Sequence, residues 1–157
     1  MAKLPEFIAL ESVKNRKYLV YKHQPTIPKL PNFLQCSGQD SHSKDARFKV
    51  EKDVNDPSLV HIKCTYNDKY LRLESQHSSW IVADADKKQP NKTLWSCTLF
   101  KPEGLEFPGL HGLYKFIHVY TEKPIGPKSE PLFEDVLAVE SAKPSEIHAF
   151  IVEKLPG

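Results

Sequence analysis

Cysteine is scarce in this chain of 157 residues: there are three, Cys36, Cys64 and Cys97, with no Cys-x-x-Cys spacing. Three thiols cannot all pair within one chain, so they read as reduced, buried side chains and not as a disulfide scaffold. Long apolar runs are missing too. None approaches the ~18 residues of a membrane-spanning helix, so no membrane insertion by this domain alone is expected. Met1-Ala2-Lys3 leads to Pro5 and Glu6, not to the apolar core of a secretory signal. The expected location is therefore cytoplasmic or nucleocytoplasmic. Charge of one sign is lacking as well: 22 Lys and Arg stand against 20 Asp and Glu, a net +2. The tightest basic group, Lys14, Arg16 and Lys17, reads as the decoration of a hairpin turn, and no nucleic-acid partner is expected. Room for helices is short. Thirteen prolines leave room for a long helix only in 32–56 and 58–89, and neither carries apolar residues at helical spacing. No G-x-S-x-G, no phosphate-binding loop and no zinc spacing occurs. The chain is thus expected not to be an enzyme and to need no cofactor.

What is present is short alternation and repetition. Ile8 and Leu10, Phe48 and Val50, Val60 and Ile62, Ile117 and Val119, and Phe150 and Val152 each flank one other residue. Period-two alternation places one set of side chains on the core face of a strand. The pattern Ile8-Ala9-Leu10 with Lys17-Tyr18-Leu19 returns as Val60-His61-Ile62 with Lys69-Tyr70-Leu71, and Asn15 and Asn67 occupy matching turns. Asn tolerates the left-handed backbone of tight turns. The closing strands match as well: Phe48-Lys49-Val50-Glu51, Phe100-Lys101-Pro102-Glu103 and Phe150-Ile151-Val152-Glu153. Ile117-His118-Val119 reads as the third opening strand.

Three four-stranded units, about 5–53, 58–104 and 112–154, predict an all-β fold, a β-trefoil with pseudo-threefold symmetry filling one domain over 1–157. Phe48, Phe100 and Phe150 are expected to meet in one core layer. Pro124 and Pro127 predict a loop or a shortened hairpin in the third unit.

Several polar residues invite chemical readings. His61 and His118 read as equivalent positions in opening strands, structural, outward or at the rim, and Asp84 with Asp86 as a solvated strand end. Trp95 reads as core.

The second unit resembles a known family. Leu59-Val60-His61-Ile62-Lys63, Asn67-Asp68-Lys69-Tyr70-Leu71, Trp80-Ile81 and Trp95 through Cys97-Thr98-Leu99-Phe100-Lys101-Pro102 are similar to the agglutinin domain of amaranthin-type plant lectins. Leu4-Pro5 and Lys17-Tyr18-Leu19 agree with it. The resemblance implies a β-trefoil lectin recognising Gal-β1,3-GalNAc or related galactosides on glycans or glycoproteins, and a homodimer. The family's loop Ser-Pro-Asn-His-Tyr-Trp corresponds here to Ser75-Gln76-His77-Ser78-Ser79-Trp80, which lacks the tyrosine. By that correspondence the sugar is expected at Ser75, Gln76, His77, Ser78, Ser79 and Trp80. The residue chemistry agrees: short polar groups on a loop beside an aromatic ring suit hydroxyls and an apolar sugar face.

Other trefoil roles stay open. A protease inhibitor of the Kunitz kind would use disulfides, and a growth-factor trefoil would carry a basic cluster. A protein-interaction or targeting module of a larger, pore-forming plant defence protein is the remaining alternative.

Overall fold

The computed structural model describes residues 4–22, 30–131, 133–139 and 148–157, and twelve strands lie within them. They are β1 (Phe7–Ser12), β2 (Tyr18–Lys22), β3 (Phe33–Gly38), β4 (Phe48–Lys52), β5 (Val60–Cys64), β6 (Lys69–Leu73), β7 (Ile81–Ala85), β8 (Leu99–Phe107), β9 (Leu110–His118), β10 (Lys123–Glu130), β11 (Phe133–Val139) and β12 (Phe150–Lys154). No helix among the described residues is long and apolar enough to cross a membrane.

Six strands close a ring through β1–β4, β4–β5, β5–β8, β8–β9, β9–β12 and β12–β1. Closure removes the exposed edges of an open sheet. The hairpins β2–β3, β6–β7 and β10–β11 form the cap. They join each other where Phe33 opposes Val82, Trp80 opposes Ala138 and Val136 opposes Gln35. This is the threefold plan of a β-trefoil.

The core follows from the repeat. Phe48, Phe100 and Phe150 are fully buried in one cluster with Ile8, Leu10, Ile62, Leu71 and Phe116. Each phenylalanine lies between two strands in the same way. Phe48 opposes Ile8 and Cys64, Phe100 opposes Val60 and His118, and Phe150 opposes Tyr114 and Ser12. The three thiols are free and buried.

That register corrects the expected third opening strand. Tyr114-Lys115-Phe116, not Ile117-His118-Val119, is the counterpart of Val60-His61-Ile62. In β9 the inward residues are Tyr114, Phe116 and His118, while Ile117 faces outward against Pro124. The apolar pair Ile117 and Val119 mimics an inward face because its outer side is partly covered. A shift by an odd number of residues exchanges the two faces of a strand. His61 and His118 are therefore not equivalent, and neither lies on a rim: they are 1% and 0% exposed. His61 contacts Thr98 Oγ1 through Nδ1 (2.7 Å) and Asp53 Oδ1 through Nε2 (3.1 Å).

Two further expectations change. The left-handed residues of the first two turns are Arg16 and Asp68, each one position beyond the expected Asn15 or Asn67. Asn15 and Asn67 instead lock these turns. Each accepts the amide of Lys17 or Lys69 at Oδ1 and donates Nδ2 to the carbonyl of Cys36 or Ala83. The third hairpin is also not shortened: β10 runs for eight residues through both Pro124 and Pro127. Among the described residues only Lys123 and Pro124 of β10 pair with β9, and no strand among them pairs with that side beyond Pro124, where no amide donor is then required.

Candidate functional site

The loop between β6 and β7 is built by its own backbone first. The amide of Glu74 donates to the carbonyl of Trp80 (3.0 Å), and the amide of Ser78 to the carbonyl of Ser75 (3.2 Å). Ser78 Oγ accepts the amide of Trp80 (3.0 Å), a local turn bond typical of serine. Ser75 Oγ donates to Glu74 Oε1 (3.1 Å).

The next layer comes from the third repeat. The amide of Val139 donates to the carbonyl of Ser79 at 2.7 Å. Lys128 Nζ donates to Ser79 Oγ at 3.3 Å and pairs with Glu130 Oε1 at 3.3 Å. The Trp80 ring stacks on Phe133 (centroids 5.1 Å apart, planes at 24°), and Lys128 Nζ stands 5.4 Å over the same ring. Beneath them lies a satellite core of Leu30, Phe33, Val82 and Val136. Trp80 thus anchors the loop, and both its stacking and its cation contact come from a distant part of the chain.

Of the six residues expected at a sugar, Ser75, Ser78 and Ser79 already use their hydroxyls within the fold. Trp80 is half-buried. Gln76 and His77 are exposed at the tip. The structure brings all six together because they are contiguous, and adds Lys128, Glu130 and Phe133, which sequence reasoning missed. The signal for them was the length of β10, hidden by its two prolines.

The other acidic candidates are engaged. Asp84 Oδ1 accepts Arg72 Nε at 2.7 Å, and Asp86 pairs with Lys69. The Lys69 ammonium, by hydrogen bond and by charge, holds the Asp86 carboxyl below the usual range. Arg72 also stands 5.5 Å over the ring of Trp95, which packs partly buried against the main core. No cluster of three or more His, Cys, Asp or Glu that could hold a metal occurs among the described residues. A concavity of about 760 Å³ follows the β8–β9 hairpin from Gly104 to Tyr114, rimmed by exposed Phe107 and Leu110. None of its lining residues belongs to the Ser75–Trp80 loop.

Solved structures that share the fold include the following three. A designed threefold-symmetric protein, ThreeFoil, superposes with a TM-score of 0.68 at 11% identity, over 96% of this chain and 99% of that one. SeviL bound to asialo-GM1 saccharide gives 0.62 at 15% identity, over 96% and 98%. A salivary protein from Culex quinquefasciatus, of the Cysteins and Tryptophan-Rich family, gives 0.67 at 12% identity, over 98% and 96%. No curated protein sequence matches the chain. The Agglutinin domain family matches residues 2–142, and the chain belongs to that family.

Proposed function

We propose that this agglutinin domain is a non-enzymatic lectin that binds Gal-β1,3-GalNAc or a related galactoside at the Ser75–Trp80 loop. The observation that carries the reading is the family match over residues 2–142. SeviL, a structural neighbour bound to asialo-GM1 saccharide, is consistent with glycan binding by this architecture. The loop itself suits the role. Its backbone is braced from two repeats, and its exposed tip offers Gln76, with amide donor and acceptor, and His77, with one of each when neutral. A rigid frame with adaptable tips limits the ordering cost of binding.

Replacing Gln76 and His77 together by alanine is expected to weaken disaccharide binding by ~1–3 kcal/mol, the cost of lost hydrogen bonds. Both side chains are exposed, so the melting temperature should stay within a degree or two (~0.5 kcal/mol) of the parent. Titration calorimetry with Gal-β1,3-GalNAc, beside a melting curve, checks this. Unchanged binding would place the sugar elsewhere.

Cross-linking of glycoproteins needs two sites in one particle, and linkage raises avidity by ~10²–10⁴. A homodimer with twofold symmetry is the simplest way for one domain to reach it. Sedimentation at high micromolar concentration, with and without sugar, is expected to show that dimer; a monomer under both conditions contradicts it. The exposed Phe107 and Leu110 favour a second reading, in which the domain docks a protein partner. Loss of a partner complex in a Phe107→Ser, Leu110→Ser variant that still binds sugar would support it.

A further inference from the structure

The loop's outer wall belongs to β10 and β11, and this joint differs from its two sisters. The pairings of Phe33 with Val82, Trp80 with Ala138 and Val136 with Gln35 make Phe33 and Val136 the counterparts of Trp80. Phe33 and Val136 are buried, at 3% and 0% exposure. Trp80 is the half-buried member of the three, and the one with an ammonium over its ring.

The ammonium is Lys128, held over Trp80 and against Ser79 Oγ and Glu130 Oε1. A lysine has three N–H donors. One is directed at Ser79 and the charge pairs with Glu130, so the ammonium retains donor capacity for a ligand. The side chains of Lys128 and Glu130 are 28% and 44% exposed, so both reach solvent beside the loop. A donor and a carboxylate acceptor side by side match two neighbouring sugar hydroxyls, each of which can donate and accept. The lysine's charge is already neutralised by Glu130. A carboxylate or sulfate on the ligand would therefore approach Glu130 without a free cation to meet it.

We propose that Lys128 and Glu130, from the third repeat, form the diol-binding part of the glycan site and set a preference for neutral over acidic sugars. This rests on the Ser75–Trp80 loop being the sugar site. It also makes that site a joint of two repeats within one chain, one per domain.

The test is titration calorimetry of the full chain with Gal-β1,3-GalNAc and with the same disaccharide carrying a sulfate. The parent should bind the neutral form about tenfold or more tightly than the sulfated one. Lys128→Met should weaken the neutral disaccharide by about tenfold or more, the range for a hydrogen bond to a charged group, while Lys128→Arg keeps most of the affinity. Glu130→Gln should narrow the gap between the two ligands. That ratio is insensitive to any general loss of folding, so it decides the matter even if Lys128→Met melts lower. If Lys128→Met and Glu130→Gln bind like the parent while the Gln76, His77 double variant is weakened, the pair has no such role and the loop reading stands. If all of these variants bind like the parent, the loop is not the sugar site and the proposal falls with it. Tighter binding of the sulfated form by the parent overturns the preference.

Discussion

Phe100→Ala is expected to lower the stability of the domain by about 3–5 kcal/mol, the cost of deleting a buried aromatic and leaving a cavity. Phe100 is 0% exposed and is paired in the ring with Val60 on one side and His118 on the other. Its ring centroid lies 5.4 Å from that of His118. Closed barrels relax poorly around a missing ring, because each ring strand is held on two sides. Phe48 and Phe150 stand at the same level in the other two repeats, so Phe48→Ala and Phe150→Ala should cost similar amounts. Denaturant unfolding checks all three against Phe107→Ala. Phe107 is 46% exposed, and its truncation should change stability by ~0.5 kcal/mol or less. Equal effects at Phe100 and Phe107 would contradict the shared core layer.

The second large effect is on acid stability. His118 is buried between Phe100 and Tyr120, with Nδ1 2.9 Å from Thr121 Oγ1. Burial disfavours the imidazolium and pushes the pKa from 6.5 down to about 4. The sign follows from proton binding. Above 6.5 the imidazole is neutral in both states and contributes nothing to the pH dependence. As the pH falls below 6.5 the unfolded chain takes up a proton that the folded chain refuses, so stability declines. The decline ends near 4, where the folded protein protonates as well. A shift of this size corresponds to roughly 3 kcal/mol. Urea unfolding at a series of pH values between 7 and 4 should show that slope. His118→Cys, the residue found at the equivalent Cys64, should flatten it. A slope unchanged in the variant would assign the acid sensitivity to other groups.

Legibility of the sequence depended on which face carried the signal. Phe48, Phe100 and Phe150 were readable because an inward aromatic recurs with the same outward Lys or Glu around it. The hexapeptide Cys97–Pro102 was readable because it spans the closing strand of the second repeat, where burial constrains Cys97, Leu99 and Phe100 at once. The third repeat was misread at its opening strand because Ile117 and Val119, on the outer face, alternate as an inner face would. That reading aligns His118 with His61, although its counterpart in the second repeat is Cys64: Phe100 opposes His118 as Phe48 opposes Cys64. The third hairpin was misread because proline is compatible with a strand wherever its missing amide has no partner to meet, and among the described residues no strand pairs with that side of β10 beyond Pro124. That misreading concealed the outer half of the candidate site. Ser75–Trp80 is contiguous and visible in sequence, whereas Lys128, Glu130 and Phe133 reach it through the cap pairing of Trp80 with Ala138 and the bond from Val139 to Ser79.

Glycan binding at the joint of the second and third repeats is the central proposal. Its most direct test is titration of the purified chain with Gal-β1,3-GalNAc, monitored by calorimetry. Saturable binding with one sugar per chain, lost when Gln76 and His77 become alanine in a protein of unchanged melting temperature, is the predicted result. A folded chain that gives no heat with this disaccharide and captures no galactoside on a glycan array would contradict it.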